Sequence, residues 1–197
     1  MMRHGAGTTM LCALGALIAG CVSTPESRFF TLNATMNHAV ESSSMSVVVG
    51  PVSVPAEVDR PQIVVSTGPN QVTLEEYNRW ASPLANNISR VVAENLVDLL
   101  GTHRVSLFQQ SIPVDGDFRV AIEVQTFDSA PGDAATLNAV WVVRRARDGK
   151  SDTGRTTVRE ATADKSYEAL AAAHSRAVYR MSQDIAGAVR ALSRATP

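Results

Sequence analysis

Ser82-Pro83-Leu84-Ala85-Asn86-Asn87-Ile88-Ser89-Arg90-Val91-Val92-Ala93-Glu94-Asn95-Leu96-Val97-Asp98-Leu99-Leu100-Gly101 is the stretch from which the fold is read. Leu84, Ile88, Val91, Val92, Leu96, Leu99 and Leu100 recur in steps of three and four, which places them on one face of an α-helix. Ser82 suits the N-cap, and Pro83 suits the first helical position, where a missing N–H loses no partner. Gly101 can adopt the left-handed conformation that closes a helix. Such a helix needs an apolar surface to cover.

The flanking sequence supplies that surface. Residues 117–127 alternate, with Phe118, Val120, Ile122 and Val124 on one side and Arg119, Glu123 and Gln125 on the other, the period of a half-buried strand. Residues 105–108 predict a short strand, 135–147 a longer one, Asp148-Gly149 a turn, and 155–163 the returning strand. A second helix is predicted over 166–193, with Tyr167, Leu170, His174, Ala177, Val178, Met181, Ile185, Val189 and Leu192 as its apolar stripe. Upstream, 62–66 and 71–75 flank the turn cluster Thr67-Gly68-Pro69-Asn70 and form a hairpin. Residues 45–54 read as a Val-rich buried strand closed by Pro55, 34–44 as a Ser-rich loop, and 28–33 as a first strand. Together these predict an α+β fold in two layers: a mostly antiparallel twisted sheet with two amphipathic helices on one face.

The N-terminus reads as an address. Arg3 and His4 precede an uncharged apolar stretch, residues 10–19, that ends in Ile18-Ala19-Gly20-Cys21. Charged start, apolar middle and small residues at the cut are the layout of a secretory signal, and the run is short of the ~20 residues that span a bilayer. A cysteine directly after the cut resembles a bacterial lipobox, so Cys21 is the expected lipidation site. The expected organisation is a signal peptide over 1–20, a lipidated tether over 21–27 and a single periplasmic domain over 28–197. Residues 22–27 reach at most about 20 Å, which keeps the domain close to the bilayer. Val22 stands where an aspartate would resemble an inner-membrane retention signal, which favours the periplasmic face of the outer membrane.

Composition limits the chemistry. The chain is 45% hydrophobic and 19% charged, an ordinary globular balance. Removal of Arg3 with the signal leaves 17 basic against 19 acidic side chains, no footprint for nucleic acid. Cys12 leaves with the signal and Cys21 takes lipid, so no thiol remains for a disulfide, a nucleophile or zinc. His4, His38, His103 and His174 are scattered without ligand spacing, and His174 on an apolar stripe reads as core. Gly149-Lys150-Ser151 resembles a P-loop tail, but it falls in a hairpin with Arg144 where the first glycine belongs. No G-x-S-x-G elbow occurs, and Glu75-Glu76 lack a convergent partner. The expectation is no enzyme, no cofactor and no metal. Arg144, Arg145, Arg147, Lys150, Arg155 and Arg159 crowd one hairpin and read as a solvated strand face, with contact to lipid headgroups or an acidic partner as the sharper alternative.

Two clusters are unusual for scaffolding alone: Val52 to Val64, with Asp59-Arg60-Pro61-Gln62-Ile63, and Tyr77 to Leu84, with Arg79-Trp80 before Ser82-Pro83. Together with the lipobox cysteine, R-F-F-T-L from Arg28, V-G-P-V-S-V-P from Val49, R-V-V-A-E-N-L from Arg90 and Trp141, these motifs resemble the PqiC/YmbA family of ABC-type transport auxiliary lipoproteins. The resemblance implies an outer-membrane lipoprotein accessory to an MCE-domain transporter, serving lipid movement or envelope integrity, with a ring-shaped homo-oligomer among its assemblies. Arg60, Arg79 and Trp80 are the expected partner-binding residues. The plainer alternative is that Pro55 and Pro61 rigidify a crossover while Trp80 packs over the helix N-terminus or in the core. The competing readings are an envelope assembly or scaffolding lipoprotein unrelated to lipid transport, and a periplasmic hydrolase.

Overall fold

The computed structural model describes residues 25–35, 43–109 and 115–195. Cys21, the expected signal peptide and His38 lie outside the described residues.

The chain forms eight strands and two helices: β1 (Arg28–Phe30), β2 (Val47–Ser53), β3 (Gln62–Gly68), β4 (Gln71–Trp80), α1 (Leu84–Leu100), β5 (Val105–Leu107), β6 (Phe118–Ala130), β7 (Ala134–Arg145), β8 (Ser151–Ala161) and α2 (Tyr167–Arg194). The α+β class and the helix-covered sheet are as predicted. The strands divide into a five-stranded sheet, β5-β2-β6-β7-β8, and a three-stranded sheet, β1-β4-β3. The long ladders β6–β7, β7–β8 and β3–β4 are antiparallel, whereas β2 pairs in parallel with both β5 and β6, and β1 with β4. A sequence period of two assigns faces to a strand but says nothing of its neighbour, so this division was not legible.

The predicted core is the observed one. Phe118, Val120, Ile122 and Val124 of β6, Leu137 and Val143 of β7, and the stripes of both helices join one hydrophobic cluster. β3 adds Ile63, Val64 and Val65 from the small sheet. Gly101 closes α1 at φ 63°, ψ 40°, its N–H donating to Val97 O. Ser166 caps α2, its hydroxyl accepting from Ala169 N.

α1 starts one residue later than expected. Pro83, at ψ 133°, holds the N-cap position and no side chain caps the turn, so Ser82 is not the cap. The Pro83 carbonyl accepts the first intrahelical bond from Asn87 N at 3.0 Å. This register carries Leu84 into the core.

Between β1 and the helices, residues 31–35 form an extended strap. Leu32 N donates to Asn87 Oδ1 (3.3 Å) and Thr35 N to Asn95 Oδ1 (3.0 Å), both acceptors on α1. Asn33 N donates to Ser175 Oγ on α2 (3.1 Å), and Arg90 donates to Leu32 O (2.6 Å). Asn95 also donates to Ser182 Oγ (3.1 Å), which ties the strap to both helices at once.

Candidate docking pocket

The loop between β2 and β3 is a tight, proline-bounded turn. Val58 N and Asp59 N both donate to Pro55 O, and Arg60 N donates to Val58 O. Val58 is buried and anchors it. At the far end of β4, Trp80 N donates to Pro61 O (2.7 Å) and Ala81 N to Phe30 O (2.8 Å). The Trp80–Pro61 bond, with Gln62 paired to Arg79 across the β3–β4 ladder, holds the two unusual sequence clusters against each other. Between them lies a cavity of about 330 Å³ lined by Asp59, Arg60, Pro61, Trp80, Ser82 and Pro83.

Asp59, which is exposed, and Arg60, which is half-buried, bring one charge of each sign to this pocket. The Arg60 Nε is buried without a hydrogen-bond partner, and so is the Nε of Arg79. Neither guanidinium has a carboxylate within salt-bridge distance among the described residues. A buried donor left unsatisfied costs about 1–3 kcal/mol, more on a charged group. Both side chains are only half-buried, so charge that the fold does not neutralise is left at its surface. The N-terminus of α1 opens at the same rim, with no acidic residue in its first turn, and adds partial positive charge. Arg79 stands beside the pocket without lining it: its Cα partners are Gln62 on β3 and Phe29 on β1.

Trp80 is mainly a core residue. It is 5% exposed and meets Phe127 and His174 edge-on, each at 6.1 Å between ring centroids. His174 stacks on Phe127 at 3.9 Å and its Nε2 lies 2.8 Å from Ser129 Oγ. Burial lowers the His174 pKa to about 3, so the ring is neutral at physiological pH. This Ser–His pair is sealed from solvent, a core contact rather than an active site.

In the basic hairpin Arg144, Arg147, Lys150, Arg155 and Arg159 are exposed, as a solvated strand face predicts, and only Arg145 is corrected by the structure. Arg145 is buried, pairs with Asp148, and donates to the carbonyls of Leu192 and Ala195 at the end of α2. Its hydrogen bonds pull the Asp148 carboxyl well below the usual range. Arg155 donates to Gln125 and Asn138, Arg159 pairs with Asp133, and Arg147 donates to Ala195 O. Much of the cluster's charge is thus directed at the protein itself. A larger hollow of about 580 Å³ beside Met45, Asp117 and Arg145 is likewise satisfied internally, since Asp117 accepts from Ser46 N and Oγ at 2.8 Å. The described residues hold no group of three His, Cys, Asp or Glu side chains suited to a metal.

Sequence reasoning placed Arg60, Arg79 and Trp80 in two motifs, and the structure brings Arg60 and Trp80 into one pocket. It missed Asn87 and Asn95, whose eight-residue spacing within an apolar helix face was the available signal.

A two-layer α+β domain with a proline-bounded pocket at the junction of small sheet and first helix defines the structural class. Within it, the chain belongs to the family of the ABC-type transport auxiliary lipoprotein component, whose profile matches residues 30–186. Protein XCC0632 from Xanthomonas campestris is similar in structure, 21% identical, with 84% of this chain and 95% of that chain covered and a TM-score of 0.67. An uncharacterised protein of known structure matches at 19% identity, 84% and 99% coverage and a TM-score of 0.68. At these identities the likeness establishes the fold. A PelC dodecamer from Paraburkholderia phytofirmans, 10% identical over 75% of this chain and 88% of that one, has a TM-score of 0.41 and bears no weight. No curated protein matches the chain.

Proposed function

We propose that this protein is an outer-membrane lipoprotein, anchored through Cys21, that serves as a non-enzymatic accessory subunit of an MCE-domain, ABC-type lipid-transport system and thereby supports envelope integrity. Family membership supports the auxiliary transport role. The observation that carries the docking part is the unpaired Arg60 guanidinium in a pocket built from the two most distinctive motifs. Its partner is an acidic segment of the MCE protein: a carboxylate meets Arg60 and the α1 N-terminus, and an apolar neighbour lies on Pro61, Pro83 and the edge of Trp80. Arg79 adds charge from beside the pocket.

Affinity purification of the tagged full chain from detergent-solubilised envelopes, with partners identified by mass spectrometry, tests this reading. An MCE-domain protein should co-purify. Recovery of a secretion or cell-wall machine in its place would contradict the transport assignment.

A further inference from the structure

We propose that the small sheet seats directly on the surface of the lipid bilayer, through a strip formed by Phe29 on β1 and Tyr77, Leu74 and Val72 on β4. These are four of the five large hydrophobic side chains exposed among the described residues, at 64%, 37%, 45% and 58%, and all four belong to one three-stranded sheet. Elsewhere the sheet is well employed: β3 contributes Ile63, Val64 and Val65 to the core, and Phe30 and Trp80 point inward. The strip therefore answers to something outside the chain.

Chain length decides what that is. The inference rests on the anchor at Cys21. Phe29 lies eight Cα-to-Cα steps beyond Cys21, so the backbone can place it at most about 28 Å from the lipidated residue. β1 is thus the first element above the membrane, and β4, hydrogen-bonded to it from Arg28↔Asn78 to Phe30↔Trp80, is held beside it. With β4 lying along the membrane plane, Phe29 and Tyr77 meet the interface where aromatic side chains are favoured, and Leu74 and Val72 extend the contact. The lipid chains and the strip then orient the domain together, leaving it fewer ways to tumble on its tether.

The test uses full-length variants purified from membranes and reconstituted into phosphatidylethanolamine–phosphatidylglycerol vesicles. Single cysteines at Tyr77→Cys or Leu74→Cys carry an environment-sensitive fluorophore, with Thr153→Cys on the exposed face of β8 as the reference. Emission from positions 77 and 74 should shift to the blue and be quenched by brominated lipids, while position 153 stays water-like. Emission at 77 and 74 matching that at 153 would overturn the proposal. So would a blue shift without bromolipid quenching, which would assign the strip to a protein partner or a second copy. Wild-type protein serves as the control for the anchor: labelling of its Cys21 thiol would show that residue unacylated, a failure of the lipoprotein reading rather than of the seating geometry.

Discussion

At the scale of single residues, Gly154 and Trp141 form the most sharply defined contact. They face each other across the β7–β8 ladder, and a Cβ on Gly154 would stand 2.1 Å from the Trp141 ring. The indole is fixed in that position because its Nε1 donates to Thr156 Oγ1 (3.1 Å), whose hydroxyl donates to Asp184 on α2 (2.6 Å). Gly154→Ala should therefore destabilise by about 1–3 kcal/mol, the usual range for overpacking, and lower the thermal midpoint. In a Trp141→Ala background the same change should add little; an unchanged midpoint in the wild-type background would show that the ring can move aside. His174 gives a second residue-level expectation. Its folded pKa, about 3, lies below the ordinary 6.5, so the unfolded chain takes up a proton that the folded chain refuses. Stability from this group is complete above pH 6.5 and falls by about 1.4 kcal/mol per pH unit as pH drops toward 3. Urea midpoints between pH 7 and pH 4.5 should fall less steeply in His174→Gln, which keeps a hydrogen-bonding side chain but does not titrate. Identical slopes would place the acid sensitivity elsewhere.

At the scale of elements, the strap over the helices shows what periodicity could and could not reveal. Both helices were legible because their apolar stripes are long and regular. β6 was legible because its alternation is clean up to the bulge between Val124 and Thr126. The strap was not, since residues 31–35 carry no period and their hydrogen bonds come from side chains far away in sequence. Arg145 was misread for a related reason: an arginine among arginines looks solvated until the end of α2 arrives to cover it. Asn95 is the hinge of the strap account, accepting from Thr35 N and donating to Ser182. Asn95→Ala leaves the Thr35 amide without its acceptor, while the Ser182 hydroxyl keeps its bond to Val178 O, so about 1–3 kcal/mol should be lost in urea unfolding. Hydrogen exchange at the Thr35 amide should accelerate more than exchange in β7. Protection at Thr35 equal to wild type would mean the strap is held by apolar contact alone.

At the scale of the whole molecule, two surfaces lie at neighbouring ends of the small sheet: the apolar strip along β1 and β4, and the Arg60 pocket at the junction with α1. In the proposed arrangement the first faces lipid and the second faces a protein, so the sheet becomes the element that fixes the partner's height above the membrane. The pocket was half legible. Its two motifs stood out in the sequence; the β3–β4 ladder, with Gln62 opposite Arg79, and the bond from Trp80 to Pro61 bring them together. Trp80 was legible as unusual and as a packing candidate, but its neighbours Phe127 and His174 were not, because they come from distant elements. The most direct test is Arg60→Glu in the tagged full chain, with thermal midpoint and recovery of the proposed MCE-domain partner measured on the same preparation. A midpoint held near wild type with partner recovery lost is the expected result. Arg60 is half-buried and makes no ion pair within the described residues, so its reversal adds repulsion to the partner without emptying the core. Full recovery of the partner by a folded Arg60→Glu protein would contradict the docking account.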